Sequence, residues 1–277
     1  MRGTVTEPTS PLSRYAAALD DAVTTRRAIA QLSRTASLTL DDAYRVQALG
    51  SGLRAARGDR VVGVKLGFTS KAKALQMGVS DVIFGRLHAS GEYADGDDVA
   101  MEDFIHPRVE PEVAFRLGAR FDARASADPE AELRAAVDAV APGLEIIDSR
   151  YANFRFSLTD VVADNTSAAA FVTGAWQPAD LTAGDVRFDD RPVTLEIDGA
   201  AAATGSTSDI LGDPVLALPA IARMAAAHGV VLPAGSVLLA GAATAAVALP
   251  GGVTVGAAVP GLGSVRVTTT GSSTEER

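Results

Sequence analysis

The run HPRVEPEVAF, residues 106 to 115, places Glu110 and Glu112 two residues apart in an otherwise apolar, strand-like stretch. On an extended chain successive side chains alternate, so Val109, Pro111, Val113 and Phe115 share one face and the two glutamates share the other, about 7 Å apart along the strand. Like charges in a partly buried site repel and drive one pKa upward, a penalty that a divalent cation removes. Oxygen ligands suit magnesium, manganese or calcium, and magnesium keeps waters that a substrate can replace. The same spacing also fits a solvent-facing strand carrying two surface glutamates.

Two further charged residues interrupt apolar runs. In APGLEIIDSRY, Glu145 sits in a segment where an isolated ionised carboxylate would be costly to bury, and a third ligand to the same ion would account for it. In VVGVKLGFTSKAK, Lys65 leads into a glycine-containing turn. A buried lysine either pairs with carboxylates structurally or works as an acid, base or electrostatic anchor. The stretch VVADNTSAAAF packs Asp164, Asn165, Thr166 and Ser167 between apolar flanks, as an Asx-type turn or as the polar lining of a pocket. His88, His106 and His228 are scattered and form no histidine-rich metal motif. The G-x-S-x-G elbow of a serine hydrolase is absent, and GLGSV near the end follows no dinucleotide-binding pattern.

The elements that must position these residues change character along the chain. Residues 1–10 read as a mobile lead-in and 269–277 as a frayed tail, around a single functional domain over 11–268. Its first part, 11–58, is helical: one amphipathic segment around 12–34, then LDDAYRVQALGSGLRAARG, with Asp41 as cap, Ala43, Val46, Leu49 and Leu53 at helical spacing, and Gly58 as terminator. From Asp59 the pattern turns to short β-branched runs punctuated by glycine, with helices expected at 70–77, at 129–140 behind Asp128, and in DPVLALPAIARMAAAHG. VRFDDRPVTLEIDG reads as two strands around a turn, and the Ala, Val and Gly-rich region 229–260 as several buried strands. Scattered strands with a few helices give an α+β class.

Composition narrows the function. A 47% hydrophobic content over 277 residues supports a substantial core. The formal charge of −9 and the lack of a basic stripe argue against nucleic-acid binding. No cysteine is present, so disulfides, thiolate metal sites and thiol nucleophiles are excluded, and a reducing cytoplasm fits. The start has no apolar core of a signal peptide, and no unbroken apolar run reads as a membrane span.

Taken in order, GVKLGFTSKAKALQMGV, IHPRVEPEVAF, LEIIDSRYANFRF, DVVADNTSAAAFVTG and PGLGSV resemble the 2-keto-4-pentenoate hydratase and 4-oxalocrotonate decarboxylase family of the fumarylacetoacetate hydrolase-like superfamily, over about residues 42 to 267. The resemblance implies a mixed β-roll, magnesium (or manganese) held at Glu110, Glu112 and Glu145, a catalytic Lys65, and substrate contacts from Lys73, Arg150, Asp164 and Ser167. It implies an unsaturated 2-oxo or 2-hydroxy acid substrate from the meta-cleavage breakdown of aromatic compounds. It also implies assembly into homo-oligomers and association with a related hydratase; a scaffold subunit would not need to retain all four charged residues. Hydratases of the family carry an aspartate in a PDFG-like turn. Here SDVIFGRL has Ile83 at that position, with Asp81 two residues earlier, and YANFRFSLTDVVADN and the TAAV at 244–247 look more like the decarboxylase branch. Loss of carbon dioxide needs an electron sink and no water-activating base, so decarboxylation is the expected reaction and hydration the alternative. LLAGAAT, with Ala240 and Ala242, and GSTSDILGDP depart from the usual family pattern, which also fits a changed substrate or a related biosynthetic enzyme with the same metal site.

Overall fold

A computed structural model describes residues 10–70, 81–182 and 186–272. The helix expected at 70–77 and the candidate Lys73 lie outside the described residues, apart from Ser70 itself.

The N-terminal section is helical, with earlier stops than the periodicity predicts. Helix α1 (Pro11–Thr25) starts on the Ser10 side chain, which accepts the Ser13 N–H, and ends at Arg26 in the left-handed conformation. The hydroxyls of Thr24 and Thr25 both donate to the Asp21 carbonyl, competing with the helical ladder at the stop. A separate 3-10 turn, Leu32–Arg34, follows. Helix α2 (Leu40–Ala56) is capped by Thr39, not by the expected Asp41, because Thr39 and Asp42 satisfy each other's backbone N–H in a capping box. Ala43 and Val46 are buried as expected, whereas Leu49 and Leu53 stay exposed.

The remainder is dominated by strands: β1 (Val61–Gly67), β2 (Ile83–His88), β3 (Glu92–Ala94), β4 (Asp98–Ala100), β5 (Arg108–Leu117), β6 (Phe121–Asp122), β7 (Val137–Ile147), β8 (Ala168–Thr173), β9 (Gln177–Pro178), β10 (Pro192–Ile197), β11 (Ala200–Ser206), β12 (Val231–Leu232), β13 (Val237–Ala242), β14 (Val247–Ala248), β15 (Thr254–Val259) and β16 (Gly263–Thr270). The larger sheet runs β2-β1-β13-β5-β7-β8-β3, with β14 on β5 and β9 on β7; the smaller runs β11-β10-β15-β16-β4. Both are open sheets, mixed in direction, since β1 is parallel to β13 and β16 to β4 among otherwise mostly antiparallel pairs. The fold is α+β, as the pattern predicts. One apolar cluster packs the helices against the larger sheet, and a second, including Val109, Leu144, Ile146, Leu195, Val255 and Val267, fills the space between the two sheets.

Three expected boundaries move. The helix behind Asp128 covers only Pro129–Ala136, because Val137 begins β7 and the strand pairs with β5 along its length. In the stretch 186–199 the turn is Asp198–Gly199, between β10 and β11, so residues 186–188 are not a strand. Thr269 and Thr270 belong to β16 instead of a frayed tail; parallel pairing with β4 orders them, and the Thr269 hydroxyl bonds Pro250 and Val253 carbonyls. The stretch 207–228 is apolar and long enough to cross a membrane, but it is broken into two 3-10 turns and the helix Ala217–His228, whose Leu218, Ile221 and Ala222 enter the core.

Candidate metal centre and cavity

Strand pairing brings the glutamates together. In the β5–β7 register Glu110 stands directly opposite Glu145, and Glu112 is two residues along β5 on the same face. One carboxylate oxygen from each of the three lies within 4.8 Å of the others. All three residues are buried, Glu145 completely. β13, inserted between β1 and β5, pairs Leu239 with Lys65 on one side and Ala242 with Glu112 on the other. Lys65 Nζ reaches Glu145 Oε2 at 2.9 Å and donates to the Thr166 carbonyl at 3.4 Å. The Gly241 N–H donates to Glu112 Oε2 at 2.7 Å.

Close backbone approach makes this arrangement possible. Gly241 has φ +123°, and a Cβ there would sit 2.3 Å from Thr69 Oγ1. A Cβ on Gly85, across from Lys65 in β2, would meet the Lys65 Cδ at 3.0 Å and the Asn165 carbonyl at 2.8 Å. Both positions require glycine. The neighbouring Ala240 and Ala242 give the family departure in LLAGAAT a simple reading: the group that touches Glu112 is a main-chain N–H, which a changed side chain leaves in place.

Among the described residues three carboxylates face one ammonium, and Glu112 Oε1 and Glu145 Oε1 have no hydrogen-bond partner although both are buried. Burial pushes the Glu112 carboxyl well above the usual range, with the Glu145 charge adding to it. Burial likewise raises Glu145, against the opposing pull of Lys65. For Lys65, burial pulls the ammonium down, but Glu145, Glu110 and Glu112 together hold it above an ordinary lysine. Hard oxygen donors gathered on one face and orphaned carboxylate oxygens are what a divalent cation would satisfy. The residues present fit such an ion.

The cluster opens into a cavity of about 530 Å³, lined among others by Lys65, Glu110, Ile83, Phe156, Thr166 and Ser167. Ser167 Oγ is buried there without a partner. It ends a turn in which Asn165, Thr166 and Ser167 all take positive φ, between 52° and 57°. Three consecutive non-glycine residues in that region are costly, and the turn is what carries the Thr166 carbonyl to Lys65. Ala245 and Ala246, from TAAV, also line the cavity.

Other expected site residues are placed elsewhere. Arg150 and Asp164, expected to contact substrate, form a buried ion pair with each other and face a different, smaller recess beside His88. Asp164 also accepts the Arg150 N–H at 3.0 Å, and burial pushes its carboxyl up to about 6 despite the Arg150 charge. These two tie the 148–168 segment together and do not line the cavity that holds Lys65 and Glu110. Asp81 is exposed and paired with Arg223 at 2.7 Å, leaving Ile83 as the residue of that turn that meets the cavity. The histidines satisfy local bonds: His106 Nε2 meets the Ser149 carbonyl at 2.6 Å, His88 Nε2 meets Ser51 Oγ at 3.1 Å, and His228 stacks on Tyr44. Sequence reasoning missed the Thr166 carbonyl and the Gly241 N–H, which carry no side-chain signature. It also missed Arg108 and Arg155, although Arg108 lies two residues before Glu110 and therefore on the same strand face.

No protein-family model matches the chain. Its sequence is 45% identical over 260 residues to a 4-oxalocrotonate decarboxylase of Pseudomonas sp, covering 94% of this chain and 98% of that one. It is 37% identical over 262 residues to a 2-keto-4-pentenoate hydratase of Burkholderia vietnamiensis, covering 94% and 97%. Among solved structures, 4-oxalocrotonate decarboxylase from Pseudomonas putida G7, complexed with magnesium and adipate, superposes with a TM-score of 0.85 at 33% identity, covering 95% of this chain and 99% of that one. With the cluster on β5 and β7, the lysine on β1 and these similarities along nearly the whole length, the chain belongs to the 4-oxalocrotonate decarboxylase and 2-keto-4-pentenoate hydratase family, which has the fumarylacetoacetate hydrolase-like fold.

Proposed function

We propose that the protein is a metal-dependent carboxy-lyase that removes carbon dioxide from 2-oxohex-3-enedioate, or a close relative, to give 2-hydroxypenta-2,4-dienoate. Glu110, Glu112 and Glu145 would hold one magnesium ion, with manganese able to replace it. Bound there, the ion supplies a Lewis acid for the 2-oxo acid head group.

The chain's own groups do the rest. In the reaction the C5–C6 bond breaks and its electron pair passes through the C3=C4 double bond to the 2-oxygen, so negative charge develops one conjugated system away from the departing carboxylate. Lys65 has three N–H donors; Glu145 and Thr166 take two, which leaves one for that developing charge. Proton delivery to the 2-oxygen then yields the 2-hydroxydienoate, and Lys65 Nζ is the acid in place for it. Ser167 Oγ, buried and unpartnered at the cavity wall, would donate a hydrogen bond to a substrate oxygen. Phe68, Phe156, Val161 and Ile83 give the cavity an apolar wall.

The observation that favours decarboxylation over hydration is Ile83. It presents an apolar side chain to the cavity where the family's hydratases have an aspartate, and Asp81 is turned outward to Arg223. Incubation with magnesium and 2-oxohex-3-enedioate is expected to release carbon dioxide, and Lys65→Met is expected to lower kcat by about 10²- to 10³-fold. Addition of water to 2-hydroxypenta-2,4-dienoate with no carbon dioxide released would replace this reading with hydration. Assembly of several copies, with or without a related hydratase, is the corresponding expectation for quaternary structure and is read by sedimentation of the purified protein.

A further inference from the structure

Arg108 and Arg155 both line the cavity that holds Lys65 and Glu110, and both side chains are solvent-exposed at its mouth. Neither guanidinium has an ion-pair partner among the described residues, in contrast to Arg26, Arg54, Arg57, Arg116 and Arg150, which do. Arg108 is held in place by the Phe154 ring, 4.6 Å from its guanidinium carbon. It shares a β5 face with Glu110, about 7 Å further along the strand, a separation comparable with the length of a six-carbon diacid. Arg155 follows Asn153 and Phe154, both with positive φ, which bend the chain around this rim.

Charge makes the pair more than decorative. The chain carries a formal −9, which opposes the approach of any dianion. Among the described residues Lys65 is the one cation beside the three buried carboxylates, and it is already engaged by Glu145, so a second carboxylate on the substrate would look to the rim for a counter-charge. The rim arginines supply two. Their exposure also suits a carboxylate that must later leave as neutral carbon dioxide, because a hydrated guanidinium holds it more loosely than a buried ion pair would.

Building on the 2-oxo acid reading above, we propose that Arg108 and Arg155 receive the distal carboxylate of the substrate and set a preference for diacids over monoacids of the same chain length. The test compares 2-oxohexanedioate with 2-oxohexanoate, which share the head group and differ only at the far end, by calorimetric titration of the magnesium-loaded protein. The wild-type protein is expected to bind the diacid about tenfold more tightly. In Arg108→Gln/Arg155→Gln the two ligands should bind alike, with monoacid affinity within about twofold of wild type. Arg155→Gln alone, off the strand that carries the glutamates, should remove about half of the preference in logarithmic terms, roughly threefold. Arg45→Gln, which removes the same charge from an exposed site on α2, should leave the preference intact. A diacid preference that survives the double substitution overturns the proposal, as does a parallel loss of both ligands. Wild-type protein that binds neither acid would overturn the 2-oxo acid reading itself, and the rim with it.

Discussion

Two buried ionic clusters in this molecule are equally withdrawn from water and opposite in design. Around Arg150, the guanidinium donates to Asp164 and to the Asp148, Asp164 and Ala168 carbonyls, while Asp148 accepts the Ile105 and His106 N–H groups at 2.8 Å each. Around Lys65, among the described residues, three carboxylates gather beside one ammonium, and buried oxygens of Glu112 and Glu145 go without hydrogen bonds. The first cluster is closed, its groups consumed in holding the backbone together. The second leaves buried carboxylate oxygens unsatisfied among the described residues. A fold of marginal stability keeps an incomplete buried cluster only where something else completes it, and that is the physical difference between a clamp and a site.

The sharpest way to break this contrast is to neutralise one acid in each cluster. Glu112→Gln is expected to lower kcat/KM for carbon dioxide release by about 10³-fold, on the order of 4 kcal/mol of lost transition-state stabilisation. The same change should raise the melting temperature of the metal-free protein, because a repelling charge disappears and the glutamine carbonyl can still accept the Gly241 N–H. Asp164→Asn should do the reverse. It leaves Arg150 buried without its counter-ion and is expected to cost about 3–5 kcal/mol in denaturant unfolding, with magnesium affinity of the folded protein unchanged. If both variants destabilised the metal-free protein equally, the two clusters would not differ in kind.

A smaller effect concerns pH. His88, beside the Arg150 recess, has its imidazole pushed down to about 4, first by burial and then by the Arg54 charge. The unfolded chain binds this proton near pH 6.5 and the folded one only near 4, so the stability contribution is complete above 6.5 and is lost as pH falls toward 4. Across that window the loss is on the order of 3 kcal/mol. His88→Gln should flatten the fall in unfolding free energy between pH 6.5 and 4 by that amount; an unchanged slope would place the titration elsewhere.

Local features of the site were legible because strand periodicity is local. Glu110 and Glu112 share a face by counting residues, and Glu145 and Lys65 stood out as charges inside apolar runs. Lys65 carried a stronger signal than was used: all three lysines of the chain fall between 65 and 73, among 25 basic residues in total. What brings Lys65 to Glu145 is register. Only the order β1-β13-β5-β7 and the pairing of Glu110 with Glu145 bring the four together, and register is set by long-range packing that a single sequence does not display. For the same reason the pairing of Arg150 with Asp164 was not legible: the two lie 14 residues apart, and only the structure shows each satisfying the other. Helix boundaries failed where side chains competed with the backbone, as at Thr24 and Thr25, or where a strand claimed the residues, as at Val137.

The central claim is that Glu110, Glu112 and Glu145 form one divalent-cation site. Calorimetric titration of metal-free protein with magnesium tests it directly. One ion per chain should bind in wild-type protein, and binding should be lost in Glu110→Gln, Glu112→Gln and Glu145→Gln but kept in Asp164→Asn. Undiminished magnesium binding after all three glutamates are neutralised, or none in the wild-type protein, would contradict it.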